Sequence, residues 1–513
     1  MSIKTHTKWL ITYLVYNNTY YELKTKLEYN GELPEGYFSM QEQTNYLFNK
    51  IKYLPYNEDI TIIIIHLDYD FINHNFSLTA IKKEKSDLVI LPAFFDLNEP
   101  MTSSKSLKNI FNILNDYFTF DQIIIITYGH GCLFGINLTD KKLYDELLKN
   151  ATFLKTDFAK RVNKFQLREK ELFETNKIYE TTISKTVTAF NIFKSILFNK
   201  FKISLRHFLK ENTLEEDFEE MLKITMLTNL ELREGIQASF KKRKIDILVM
   251  YNCSMQNVYT QYEFKDCVDY FVAPSGAISF PGYDYKGVYD KIAANVNSPV
   301  KAIADEFVLN IGKCDDHIFF ENEIKNTWFI SSTKLDEIIL DKIKQLYDRW
   351  IILLINSLKD NKSDMNLISA LITNRITTQF NMNTESVSDL MVVDFFVFLK
   401  ELELSLSKSK LYNNTNQISL QKLTSDLIQQ YNSLTQTTYY DNNFYGDLNS
   451  EYYADCYYKQ NKGISIIFSI SSNLKYEIIK RIFDKHEKDK KLIPKFLINS
   501  KTGELLDTYI FPH

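Results

Sequence analysis

The sequence predicts an α/β protein: a mostly parallel sheet flanked by helices, with a helical insertion and an α-rich C-terminal portion. Near-continuous Ile/Val runs at 60–65 and 123–126 are apolar on both sides, as strands covered on two faces are. Stretches of helical spacing separate such runs, as right-handed crossovers between parallel strands require. Glycine is scarce, 13 in 513 residues, yet Gly129, Gly131 and Gly135 crowd together, and Gly276, Gly282 and Gly287 form a second group. Glycine serves where backbone takes positive φ or approaches a neighbour closely, so the two groups mark the tight backbone.

In chain order, residues 9–16 read as a strand, followed by a helical stretch through Leu47, strands at 59–67 and 88–92, and a helix over 104–117. A strand at 123–127 then runs into Tyr128-Gly129-His130-Gly131. Residues 136–234 hold neither glycine nor proline and place apolar residues at helical spacing among Lys and Glu, which predicts several inserted helices. The sheet resumes at 245–250, running into Tyr251-Asn252-Cys253, and at 268–273. Long amphipathic helices are predicted near 335–358 and 391–404. Residues 405–443, rich in Ser, Thr, Asn, Gln and Lys, read as a linker or surface excursion, and 463–470 as a returning strand. Four regions result. Residues 1–138 form the first segment of the α/β core, with the candidate histidine, and residues 139–240 form the insertion. Residues 241–325 form the second core segment, with the candidate cysteine, and residues 326–513 a helix-rich region.

Composition excludes several classes. A net charge of −4, from 61 basic and 65 acidic residues mixed along the chain, leaves no footprint for nucleic acid or an anionic membrane. No uninterrupted apolar stretch approaches the roughly 20 residues that span a bilayer. The strand-like run behind the amino terminus shows no secretory signal. Five scattered cysteines, Cys132, Cys253, Cys267, Cys314 and Cys456, suit a reducing compartment, so a cytoplasmic location is expected. Without a CxxC pair or HExxH helix no metal site or cofactor is expected. Asp68 and Asp70, at the end of the Ile-rich strand, are a candidate Ca²⁺ pair whose first reading is a turn. Cys132 and Cys267 read as structural.

If the strands ending before His130 and Cys253 are parallel neighbours, their carboxyl ends bring an imidazole and a thiol to one crevice, where open α/β sheets bind ligands. A thiolate attacks a carbonyl when a base takes its proton and donors stabilise the oxyanion. His130 suits the first task. The backbone N–H groups of Gly131 and Cys253 suit the second. A helix read over 254–264 would favour the ionised thiol from its N-terminus.

These residues also carry a resemblance. Tyr128-Gly129-His130-Gly131 with Gly135, Asp246-Ile247-Leu248-Val249-Met250-Tyr251-Asn252-Cys253-Ser254-Met255, and Phe264-Lys265-Asp266-Cys267-Val268-Asp269-Tyr270-Phe271-Val272-Ala273-Pro274-Ser275 resemble the clostripain-like cysteine peptidases of the caspase/gingipain/legumain clan. Lys8-Trp9, Leu227-Thr228 with Glu231-Leu232-Arg233, Val393-Asp394-Phe395-Phe396 and Gly463-Ile464-Ser465-Ile466-Ile467-Phe468 extend it in the family's order. The resemblance implies a bacterial source and a caspase-like fold. It implies endopeptidase activity through a His130/Cys253 dyad and a thioester acyl-enzyme. It further implies activation by cleavage between the two, for which Lys141, Lys142 and Lys149 are candidate processing sites. Relatives place Asp where this chain has Tyr251, and Ser-Glu-Glu where it has Ser275-Gly276-Ala277. Losing those carboxylates weakens recognition of a basic P1 side chain. Tyr251, Asn252, Ser275 and Gly276 are then candidate substrate-binding residues, with Asp284 the remaining acidic one. The long insertion points to latency or a regulatory protein partner. The competing reading is a catalytically silent caspase-like scaffold that binds protein partners.

Overall fold

The computed structural model describes residues 4–16, 40–70, 75–91, 101, 103–129, 131–132, 135–137, 226–241, 243–252, 255–275, 284–310, 329–360, 390–408, 415–440, 465–470 and 495–497. The central strands are β1 (Thr5–Tyr16), β2 (Ile60–Asp70), β5 (Phe118–Tyr128), β9 (Ile245–Tyr251) and β10 (Val268–Pro274). They lie side by side in the order β10-β9-β5-β1-β2, all parallel. Antiparallel strands extend both edges: β3 (Asn75–Lys83) and β4 (Leu88–Ile90) beyond β2, and β11 (Phe329–Lys334) and β13 (Gln436–Tyr440) beyond β10. The result is a mixed sheet nine strands wide, with the expected parallel strands at its centre and antiparallel pairs at both edges.

Alternation along each strand divides the apolar residues between two faces. Leu10, Leu14, Ile63, Ile65, Ile123, Ile125, Leu248 and Met250 face one layer. That layer contains α2 (Ser104–Tyr117), α3 (Asn229–Ser239) and α4 (Val258–Phe264). Trp9, Ile11, Tyr13, Ile62, Ile64, Ile124, Ile126 and Val249 face the other, where α1 (Met40–Lys52), α5 (Tyr285–Ala294) and α6 (Val300–Leu309) pack. Each fully buried Ile contributes roughly 1.5–3 kcal/mol, which is why the Ile-rich runs must be covered on both sides.

Local signals set the helix ends. Ser103 caps α2 and Thr228 caps α3, each through a reciprocal capping box, with Ser106 and Glu231 as third-position partners. Gly235 lets α3 approach α2, because a Cβ there would stand 2.7 Å from Leu107 Cβ.

The C-terminal region departs from expectation in three places. The segment 405–443, expected as a linker, contains α9 (Thr415–Ser433) and β13. Leu420, Leu423, Leu427 and Tyr431 of α9 are buried at three- and four-residue spacing, so a helical stripe runs beneath a polar composition. The returning strand exists as β14 (Ser465–Ile470), but it pairs with β12 (Leu390–Asp394) in a separate two-stranded sheet. The long helices expected near 335–358 and 391–404 are α7 (Glu337–Asp360) and α8 (Phe395–Lys408), but residues 391–394, expected as helix, lie in β12. Among the described residues no helix is long and apolar enough to cross a membrane.

The chain also returns to α4. Phe496, in the short turn Lys495–Leu497, is buried against the rings of Tyr259, Tyr262 and Tyr347. The Lys495 backbone N–H donates to Glu263 at 2.8 Å, and its Nζ pairs with Asp266 at 2.8 Å. Glu263 is itself paired with Arg233 at 2.9 Å, and burial pushes its carboxyl above the usual range.

Candidate active site

The carboxyl ends of β5 and β9 meet at one level. Tyr128 stands opposite Tyr251 in the parallel register, and each precedes a candidate catalytic residue by two positions, His130 in one strand exit and Cys253 in the other. His130 and Cys253 themselves lie outside the described residues, as do Gly276, Lys141, Lys142 and Lys149. On one side of β1 the chain proceeds to β2; on the other, β5 proceeds toward β9. Strand order therefore reverses at β1, and the crevice of an open α/β sheet forms outside the carboxyl ends at such a switch.

Gly129 makes the exit from β5 feasible. Its φ is 144°, and a Cβ there would come within 3.0 Å of the Tyr16 carbonyl oxygen at the end of β1. A side chain there would be strained by conformation and crowded against backbone. Beyond it, β6 (Gly131–Cys132), β7 (Gly135–Asn137) and β8 (Met226–Thr228) form a small antiparallel sheet. Gly131 pairs with Ile136, and Asn137 with Met226. The residues before and after 138–225 are thereby held opposite each other.

The side chain preceding Cys253 joins the two strand exits. Asn252 is fully buried. Its Oδ1 accepts from Thr127 Oγ1 at 2.5 Å, and its Nδ2 donates to the Gly129 carbonyl at 2.9 Å. Tyr251 is also buried, its ring stacked on Tyr128 with centroids 5.3 Å apart and planes 6° from parallel. Burial, then the neighbouring phenols of Tyr128, Tyr251 and Tyr13, push Tyr285 well above the ordinary tyrosine value. Expected to face substrate, Tyr251 and Asn252 are here turned into the sheet end, and Ser275 is buried at the end of β10. Asp284 keeps partial exposure and caps α5, accepting from the Lys286 N–H at 3.0 Å.

The helix after Cys253 begins later than expected. α4 starts at Val258 with Asn257 as its cap, five positions beyond the cysteine, so the described helix end is not the one expected to stabilise a thiolate. Residues 255–257 instead run buried. The Gln256 N–H donates to the Pro274 carbonyl at 2.8 Å, and its side chain donates to the Ser331 hydroxyl on β11 at 2.5 Å. Neither Asn252 nor Gln256 announces this role in sequence, because the partners are distant in the chain.

Cys267 is buried as expected, and burial pushes its thiol up to about 12. The backbone of Cys132 lies in β6, and Asp68 and Asp70 have backbone positions at the end of β2 opposite Ser77 and Asn75. Among the described residues no three of His, Cys, Asp and Glu converge as metal ligands would.

A family model described as the clostripain family matches residues 217–490. No curated protein matches. Among solved structures, a secreted C11 cysteine protease from Bacteroides thetaiotaomicron in complex with an irreversible peptide inhibitor is similar at 13% identity, covering 85% of each chain, with a TM-score of 0.42. A second structure of a secreted C11 cysteine protease from that organism, iotapain, is similar at 12% identity, covering 84% of this chain and 87% of that one, with a TM-score of 0.39. An inactive zymogen C11 protease from Parabacteroides distasonis is similar at 11% identity, covering 94% of this chain and 97% of that one, with a TM-score of 0.44. The expected cytoplasmic location is corrected by these matches, since two of the structures are of proteases described as secreted. Scattered cysteines and a strand-like first segment do not fix a compartment.

Proposed function

The chain belongs to the clostripain family of cysteine peptidases, and we propose that it hydrolyses peptide bonds with the Cys253 thiolate as nucleophile and His130 as general acid and base. The observation that carries this reading is the register of β5 and β9: Tyr128 opposite Tyr251, each two residues short of one reacting group. In the proposed cycle His130 takes the thiol proton and the sulfur attacks the scissile carbonyl carbon. The backbone N–H groups of Gly131 and Cys253 donate to the oxyanion. Collapse breaks the C–N bond, the leaving amine takes the proton from His130, and a thioester remains. His130 then deprotonates water, which attacks the thioester; the acid product leaves and the thiol is restored.

Gly276 and Asp284, in the stretch between β10 and α5, are the residues we assign to the substrate side. Latency belongs to the same proposal: 138–225 leaves and re-enters beside the crevice through paired β7 and β8, and cleavage near Lys141, Lys142 or Lys149 would release a cover. A regulatory protein partner would act through that same insertion.

The test is Cys253→Ala. Turnover of a diverse peptide library and labelling by an active-site-directed peptidyl electrophile should both vanish while the folded protein unfolds at an unchanged temperature. Retained turnover defeats the proposal. Cys267 does not confuse the labelling, because a thiol pushed up to about 12 has almost no thiolate at neutral pH. Activity measured before and after limited proteolysis separates latency from its absence.

A further inference from the structure

The side chain of Asn252 is fully buried and holds two strand exits that lead to the reacting groups. It is covalently next to Cys253. Its Nδ2 donates to the carbonyl oxygen of the Gly129–His130 peptide unit at 2.9 Å. Peptide units are planar, so fixing that oxygen fixes the plane from which His130 departs. Gly129 needs such a hold, because its φ of 144° takes the chain out of the ladder that aligns β5 with β9 at Tyr128 and Tyr251. The other end of the amide is fixed as well: Thr127 Oγ1 donates to Oδ1 at 2.5 Å, which orients the carboxamide with its NH₂ toward Gly129. Both Thr127 and Asn252 are buried, so water does not compete.

We infer that Asn252 is a positioning residue of the peptidase site, a buried cross-strand amide that sets the His130 backbone relative to Cys253. The inference rests on the dyad reading above. Asp at this position is nearly isosteric, yet only its neutral acid can donate to the Gly129 carbonyl; the ionised form sets oxygen against oxygen.

Three variants test it: Asn252→Ala, Asn252→Asp and Thr127→Val. For each, kcat and KM on a cleaved peptide, the pH dependence of carbamidomethylation of Cys253 by iodoacetamide, and the unfolding temperature at each pH are measured. Asn252→Ala should lower kcat by about 10²-fold, the cost of a small misplacement at a reacting centre, with KM little changed. Its thiol should titrate closer to a free cysteine, near pH ~8.5. Asn252→Asp should recover kcat relative to wild type as pH falls. Thr127→Val, which keeps the packing and removes one donor, should show a smaller loss of the same kind. Wild-type kcat and thiol profile in all three overturn the inference, as does a loss that follows the unfolding temperature alone with the thiol profile unmoved. A wild-type protein without turnover, whose Cys253 titrates as a free thiol, defeats the dyad reading first and the inference with it.

Discussion

At the end of β5 a single residue decides whether the chain can leave the sheet. Gly129→Ala would force a Cβ to 3.0 Å from the Tyr16 carbonyl oxygen at a φ of 144°. A loss of about 1–3 kcal/mol in unfolding free energy is expected, read by denaturant titration. Scarcity of glycine made this residue legible in the sequence; Asn252 was not, since nothing local tells a buried amide from one facing a ligand. Asp284 allows a cleaner separation of charge from structure. Asn caps a helix as well as Asp does. Asp284→Asn should therefore leave the unfolding temperature unchanged and reduce cleavage after Lys and Arg relative to apolar residues. A peptide-library profile identical to wild type would remove Asp284 from the substrate side.

Among the elements, α4 shows most clearly what sequence patterning can and cannot reach. A helix after the cysteine strand was legible, but its start was not, because Gln256 takes its partners from the distant β10 and β11. In α9 the obstacle was composition: polar residues outnumber the stripe of Leu420, Leu423, Leu427 and Tyr431 that decides its burial. The turn carrying Lys495 fastens α4 from outside and makes that fastening depend on acid. Burial raises the Asp266 carboxyl, but hydrogen bonds and charge from Lys265 and Lys495 outweigh it and hold the group below its ordinary 3.8. The folded state therefore favours the ionised form. Its stabilisation is present above pH ~3.9 and is lost as pH falls through the lower folded value. Asp266→Asn should cost about 1 kcal/mol at neutral pH, after discounting for partial exposure, and the gap to wild type should close on acidification. A gap that is constant with pH, followed by thermal unfolding, would exclude the ion pairs as its source.

Across the whole molecule, the strands of the sheet's centre were all read, because they are buried on two faces. Their apolar runs admit no other placement, and so β1, β2, β5, β9 and β10 were legible. Of the flanking strands only β4 was legible, within 88–92; β3, β11 and β13 were not, since they mix polar with apolar residues, as in Gln436-Thr437-Thr438-Tyr439-Tyr440. Their place depends on an edge that only the assembled sheet supplies. The crevice was legible for the same reason as the central strands. What surrounds it, the small sheet and the amide between strand exits, arises from pairings between residues far apart in the chain, such as Thr127 with Asn252.

Pairing of Asn137 with Met226 gives the long excursion between them the topology of a hairpin. Opposed residues in antiparallel strands stand only about 5 Å apart, a gap that a two-residue turn closes. Excising 138–225 in favour of Asn-Gly should then yield a protein with one cooperative unfolding transition and a crevice open from synthesis. If that shortened chain collapses into aggregates, the excursion is a brace for the body, and its removal could never serve as a switch.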